Sequence, residues 1–218
     1  MVPWRILWLC GKFSGRMHVI HQQLIHVEDS FKDEDRIIDL GGGGEGVIGR
    51  LRGAQVTAVD IRQQELDDTP AGPVKVVADA RRLPFPDRSF DAATAFFFLM
   101  YVAAEDRSTV LREAYRVLSP GGTLRIWDVA IPTQEKRTRK LFGVPVKAKL
   151  PDRAIATAYG VPWEGREMSA DDIAQLARRA GFAVTPQATS GQTFRLVLTR
   201  PLDVAGAATR RRSRCRDR

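Results

Sequence analysis

Cysteine is almost missing from this sequence. Only Cys10 and Cys215 occur, one near each end of 218 residues. No disulfide framework and no cysteine-based metal spacing can be built from them, so a reducing, cytoplasmic setting is the expectation and no metal is expected. Long apolar runs are missing too. Trp4-Arg5-Ile6-Leu7-Trp8-Leu9-Cys10 is too short and too interrupted for a signal sequence, and nothing approaches a membrane span. Histidine is scarce: His18, His21 and His26 share one N-terminal stretch with no other ligand cluster beside them. Charge of one sign is scarce as well until the last ten residues. There six arginines stand against Asp217 and account for most of the net charge of +8, so the part that folds is close to neutral.

Glycine is concentrated in one place. Arg36-Ile37-Ile38-Asp39-Leu40-Gly41-Gly42-Gly43-Gly44-Glu45-Gly46 sets four consecutive glycines behind a short apolar run, and Val47, Ile48 and Leu51 then share one helical face. This predicts a buried parallel strand, a tight turn and a helix start. Without Cβ atoms the turn can come close to a ligand, and the helix start offers unpaired N–H groups. Two ligands compete for such a loop. Gly41, Gly43 and Gly46 spell the dinucleotide pattern G-x-G-x-x-G, with Asp60 at a suitable distance for a ribose. Asp39-x-Gly41-x-Gly43 also matches the first motif of S-adenosylmethionine-dependent methyltransferases, in which an acid two residues ahead of the first glycine is usual.

The rest of the chain alternates. Met17, Ile20, Leu24 and Val27 recur at steps of three and four, which predicts a lead-in helix inside an N-terminal extension over residues 1–35. Strands are predicted at 55–60, 74–77, 90–98 and 123–129, with an amphipathic helix over 105–118 that Pro120-Gly121-Gly122 stops. Such alternation gives a doubly wound α/β sheet whose ligands sit at the carboxyl ends of the strands. Residues 131–168 hold four prolines and no long period, and are expected to form an irregular insertion over an acceptor site. The regular pattern resumes with a helix beginning at Ser169-Ala170-Asp171-Asp172 and a hairpin over 182–199. The expected domain is 36–201, followed by a disordered basic tail over 202–218.

Several segments together carry a more specific resemblance. They are Asp39-Leu40-Gly41-Gly42-Gly43, Val59-Asp60, Ala78-Asp79-Ala80, Leu83-Pro84-Phe85, Ser89-Phe90-Asp91, and the run from Arg112 to Gly122. On these the sequence resembles class I S-adenosylmethionine-dependent methyltransferases of the small-molecule kind, which includes ubiquinone- and menaquinone-pathway enzymes. The resemblance implies a seven-stranded, mostly parallel sheet with helices on both faces and a C-terminal antiparallel hairpin. It implies S-adenosylmethionine as cofactor, with Asp39, Gly41 and Gly43 at its methionine part and Asp60 on the ribose hydroxyls. Asp79 and Ala80 would take the adenine, and backbone around Ala95 and Phe96 would close on the sulfonium. Three positions depart from the family pattern. Glu45 stands where a third glycine is usual, Gly42 where many relatives have cysteine, and Tyr101 where many have histidine.

The expected reaction is methyl transfer to a small-molecule acceptor, with Tyr101, Trp127, Tyr159 and Trp163 as candidate acceptor-lining residues. No catalytic residue follows; His18, His21, Tyr101, Asp128 and Tyr159 are the candidate general bases. The segment Ala95-Phe96-Phe97-Phe98-Leu99-Met100-Tyr101 lacks the Asn/Asp-Pro-Pro-Tyr/Phe signature of amino-methylating DNA enzymes, which disfavours DNA. The arginine tail leaves weak contact with RNA or an anionic membrane open, and no stable partner is evident. Two other readings stand beside the first. One is a nicotinamide-dependent oxidoreductase, the other a non-catalytic module that binds S-adenosylmethionine.

Overall fold

The structure, a computed structural model of the chain, describes residues 17–134 and 138–203, with backbone alone for 186–190. Both cysteines and the arginine tail lie outside the described residues. The first elements are two short strands, β1 (Met17–Val19) and β2 (Gln23–His26), where the spacing predicts a helix. The true period here is two. Ile25 and Val27 are buried while Leu24 between them and Gln23 is 46% exposed.

The central unit follows in the expected order. It runs β3 (Ile37–Leu40), α1 (Val47–Arg52), β4 (Val56–Asp60), α2 (Gln63–Asp68), β5 (Val74–Val77) and β6 (Phe90–Phe96). Then come α3 (Arg107–Val117) and β7 (Leu118–Val129). The second half adds β8 (Leu141–Lys149), β9 (Ala154–Pro162), α4 (Ala170–Arg179), β10 (Ala183–Ser190) and β11 (Thr193–Thr199). Seven strands form one sheet in the order β10-β11-β7-β6-β3-β4-β5. Of these β11 alone runs against its neighbours, so the hairpin closes a parallel sheet as the resemblance implies. The strand order reverses between β3 and β6, which is where a ligand crevice belongs in such folds. All four residues of β3 are buried, as a strand covered on both faces must be. α3 turns Val110, Leu111, Ala114 and Val117 inward, and α4 starts on a reciprocal cap between Ser169 and Asp172.

Residues 131–168 are not irregular. Most of them form the β8–β9 hairpin of a second, four-stranded sheet, in which β1 and β2 pair one after the other along one edge of β8 and β9 covers the other. The prolines that hide this pattern sit where a sheet tolerates them. Gly143 and Lys149 turn their carbonyls toward the β1/β2 edge, so Pro145 faces that edge too. It falls in the gap between Gly143, the last partner of β1, and Val146, the first partner of β2, where no ladder bond asks for its N–H. The inner face of this sheet, with Phe142, Val144, Val146 and Ala148 fully buried, joins the same core.

Candidate active site

The glycine loop lies between β3 and α1, and its conformation explains its composition. Gly41 has φ +69°, and a Cβ there would overlap the ring of Phe98. At Gly43 a Cβ would stand 2.5 Å from Cβ of Glu65 and 2.8 Å from Oδ2 of Asp60. The loop is thus pressed against the ends of β4 and α2. Gly41 and Gly42 both donate to the Val59 carbonyl (2.8 and 3.1 Å), and Gly44 donates to that of Glu65 (2.7 Å).

Three acids follow at three strand ends. Asp39 is buried, and its Oδ1 accepts from Oγ1 of Thr94 at 2.6 Å. Burial pushes its pKa up to about 7 against the pull of that hydrogen bond, with the charge of Asp60 adding to the rise. Asp60 is half-buried and accepts from the Arg62 amide at 2.9 Å; burial raises its pKa while the amides of Arg62, Gly43 and Ile61 hold it down. Asp79 is gripped by Arg81, whose Nε and Nη2 reach the carboxylate at 2.9 and 2.6 Å and whose Nη1 reaches Asp106 at 2.8 Å. That guanidinium holds Asp79 below the usual carboxylate range.

These acids open on one cavity of about 540 Å³, an ordinary size for a small-molecule site. Asp39, Gly41, Gly43, Asp60, Asp79, Ala80 and Phe96 all line it, as do Tyr101 and Tyr159. The floor is aromatic, from Phe96 to Phe98. Phe97 ends β6 early by taking φ +50°, a conformation that costs a bulky residue on the order of 1–3 kcal/mol. The strain turns its ring onto Tyr159. The roof is the free edge of β9. Gly160 donates its N–H to the Tyr101 hydroxyl at 3.3 Å, so this edge faces the cavity, and Ala158 and Pro162 line it at the same parity.

Other candidates are not brought to the cavity. Ala95 is buried behind Phe96. Trp127 is core: it packs on Phe96 at 6.0 Å and under the Arg195 guanidinium at 5.3 Å. Trp163 is core of the second sheet, with its Nε1 on the Pro132 carbonyl at 2.6 Å and its ring against Phe142 and His18. Both tryptophans sit on the packed side of their segments, so neither lines an acceptor pocket. His18 and His21 belong to the second sheet and its turn, away from the lining, which removes them as bases. Asp128 is fully buried between the amides of Val129 (2.9 Å) and Met100 (3.3 Å), and burial pushes its pKa up to about 7. It fixes the turn at Leu99–Tyr101 and does not reach the cavity.

Glu65, Asp106 and Arg166 also line the cavity, though no motif in the sequence marks them. Glu65 could have been found one helix turn beyond Arg62, with which it pairs at 2.9 Å. Arg166 carries no local signal beyond the turn residue Gly165 before it.

A Rossmann-like sheet with its crevice at the β3/β6 reversal, a glycine loop and three strand-end acids define the class I methyltransferase fold. A solved S-adenosylmethionine-dependent methyltransferase from Methanosarcina mazei shares it, with a TM-score of 0.56 over 79% of this chain and 95% of that one at 20% identity. Residues 38–126 match the family model described as a methyltransferase domain. It is 34% identical over 140 residues to the ubiquinone/menaquinone biosynthesis C-methyltransferase UbiE of Pseudomonas putida, across 58% of this chain and 54% of that protein. It is 33% identical over 162 residues to the O-methyltransferase cnsE of Penicillium expansum, across 69% of this chain and 52% of that protein. The chain thus spans about half the length of these curated relatives.

Proposed function

We propose that the chain transfers a methyl group from S-adenosylmethionine to a small-molecule acceptor in a reducing, cytoplasmic compartment. The observation that supports this over a nicotinamide cofactor is the charge and hydrogen bonding around the glycine loop. Seven carboxylates line the cavity against three guanidiniums. The loop's N–H groups at Gly41, Gly42 and Gly44 are spent on carbonyls, and that of Gly43 supports Asp60. A pyrophosphate at Gly41–Gly44 would meet carboxylates and amides already spent. A sulfonium carrying an ammonium group would meet complementary charge.

The residues present fit that cofactor. Asp60 keeps lone pairs for the ribose hydroxyls after accepting from the amides of Arg62 and Gly43, and Asp39, as it ionises, answers the ammonium. Asp79 keeps lone pairs for an adenine amine even within the grip of Arg81. When bound, the cofactor supplies a methyl group already activated on sulfur. The chain's part is alignment and exclusion of water by the β9 roof, a contribution of roughly 7–11 kcal/mol when geometry is good. Burial raises the Tyr159 hydroxyl well above its ordinary pKa and that of Tyr101 likewise. Both stay protonated at neutral pH and serve to orient, not to accept a proton.

Calorimetric titration with S-adenosylmethionine, S-adenosylhomocysteine, NAD and NADP tests the reading. Heat from the two adenosyl compounds alone is expected. Heat from a nicotinamide compound with none from the adenosyl pair would overturn it.

A further inference from the structure

The methyl-transfer reading leaves one cavity residue without a task. Three arginines line the cavity, and two are neutralised within it. Arg62 pairs with Glu65 at 2.9 Å, and Arg81 holds both Asp79 and Asp106. Arg166 differs. The hydrogen bond its guanidinium makes among the described residues is Nη1 to the neighbouring Gly165 carbonyl at 3.1 Å, and its Nε is buried with no partner. A buried donor left without a partner is costly, and of the side chains in that state among the described residues only Arg166 lines the cavity.

The surroundings sharpen the use. Arg107, buried beside it, spends its guanidinium on the carbonyls of Leu99, Arg166 and Glu167 and forms no ion pair among the described residues. Its pKa is lowered first by burial, with the charge of Arg166 adding to the fall and Asp128, Asp172 and Glu167 opposing. Arg166 is thus the lining guanidinium that no acid pairs with among the described residues. Arg166 lines the same cavity as Ala158 and Pro162 of β9 and the aromatic side chains of Phe97, Tyr101 and Tyr159. A guanidinium fork in a cavity that also offers flat aromatic faces matches an aromatic carboxylate.

We propose that Arg166 is a specificity residue which takes the anionic group of the methyl acceptor, and that the acceptor is an aromatic carboxylate. This rests on the methyl-transfer reading for the word acceptor, but the anion site can be measured without it. The probes are 3,4-dihydroxybenzoate, its methyl ester and benzylamine, titrated into the full chain with and without saturating S-adenosylhomocysteine. The acid is expected to bind at least tenfold more tightly than the ester, with benzylamine weakest. Arg166→Gln should erase the preference for the acid while leaving S-adenosylhomocysteine affinity and melting temperature within error, and Arg166→Lys should restore part of it. Equal binding of acid and ester, or no binding of either, would overturn the proposal. So would a loss of S-adenosylhomocysteine affinity in Arg166→Gln, because Arg166 would then serve the cofactor's own carboxylate. Retained preference for the acid in a chain that ignores S-adenosylhomocysteine would uphold the anion site and sink methyl transfer instead.

Discussion

Phe97 and Tyr159 lie face to face, with ring centroids 5.0 Å apart and planes 9° from parallel. One belongs to the end of β6 in the large sheet, the other to β9 in the small one. Their stack fixes how the roof sits on the floor of the cavity. Phe97 reaches it only through a left-handed backbone, so packing across the two sheets outweighs local conformational cost.

The same junction has a polar bolt. Tyr101→Phe removes the hydroxyl that accepts from Gly160, leaving that amide without a protein partner. A neutral hydrogen bond contributes about 0.5–1.5 kcal/mol net. Exchange of the Gly160 amide with solvent deuterium should quicken several-fold, with β3 and β4 amides unchanged. An unaltered Gly160 rate would mean the roof is held by packing alone.

Asp60→Ala should weaken S-adenosylhomocysteine binding about tenfold to a hundredfold, since charge-assisted hydrogen bonds are worth about 1.5–3 kcal/mol. Part of the loss comes through the protein, because Asp60 also receives the amides of Arg62 and Gly43. Asp60→Asn, which keeps an acceptor for those amides, should lose less. Calorimetry on both variants separates the two contributions, and equal losses would remove the role in holding the loop.

Asp39 gives the protein a defined response to pH. Its carboxyl has a pKa of about 7 in the fold against 3.8 for the ordinary group. The folded state holds the proton more tightly, so this group's contribution to stability is full below about pH 4 and is lost as pH rises through about 7. Urea unfolding at pH 5, 6, 7 and 8 should show wild type losing stability across that range relative to Asp39→Asn. Binding of a cationic ligand should strengthen over the same range in wild type only. Parallel curves for the two proteins would place the Asp39 titration elsewhere.

Trp163→Ala should act on stability and not on binding. The ring is 5% exposed, packs against Phe142 at 5.1 Å and anchors Pro132 through its indole N–H. Truncation of such a side chain costs about 3–5 kcal/mol. Chemical denaturation should register a loss of that size, while the protein that remains folded binds S-adenosylhomocysteine with wild-type affinity. A specific loss of acceptor turnover in a fully stable variant would return Trp163 to the substrate site.

What the sequence revealed was local. Asp39, Gly41, Gly43, Asp60 and Asp79 were legible because each stands where a short apolar strand meets its turn, and turn chemistry is written in neighbouring residues. The second sheet was not legible, because β1 and β2 find their partner in β8, far along the chain. Met17, Ile20, Leu24 and Val27 fit a helical period by coincidence, and Pro145 argued against a strand that has a gap for it. Trp127 and Trp163 were misassigned for a related reason. An aromatic residue near a strand end shows its type in the sequence, but register decides which side it faces. The unpaired state of Arg166 is a property of where Glu65, Asp79 and Asp106 fall in space, which no spacing along the chain encodes.

The route of the chain through the small sheet also orders events during synthesis. Gln23 pairs with Val146, and Leu141 with both Met17 and Pro162. As the polypeptide leaves the ribosome, β1 and β2 emerge before any of the large sheet and stay without partners until β8 follows. The glycine loop and its acids can settle while the cavity is still roofless. Two strand edges are left open for that interval, the period when a nascent chain is most exposed to wrong pairing. Val19 and Leu24, exposed even in the finished fold, are the apolar residues such a chain would offer first.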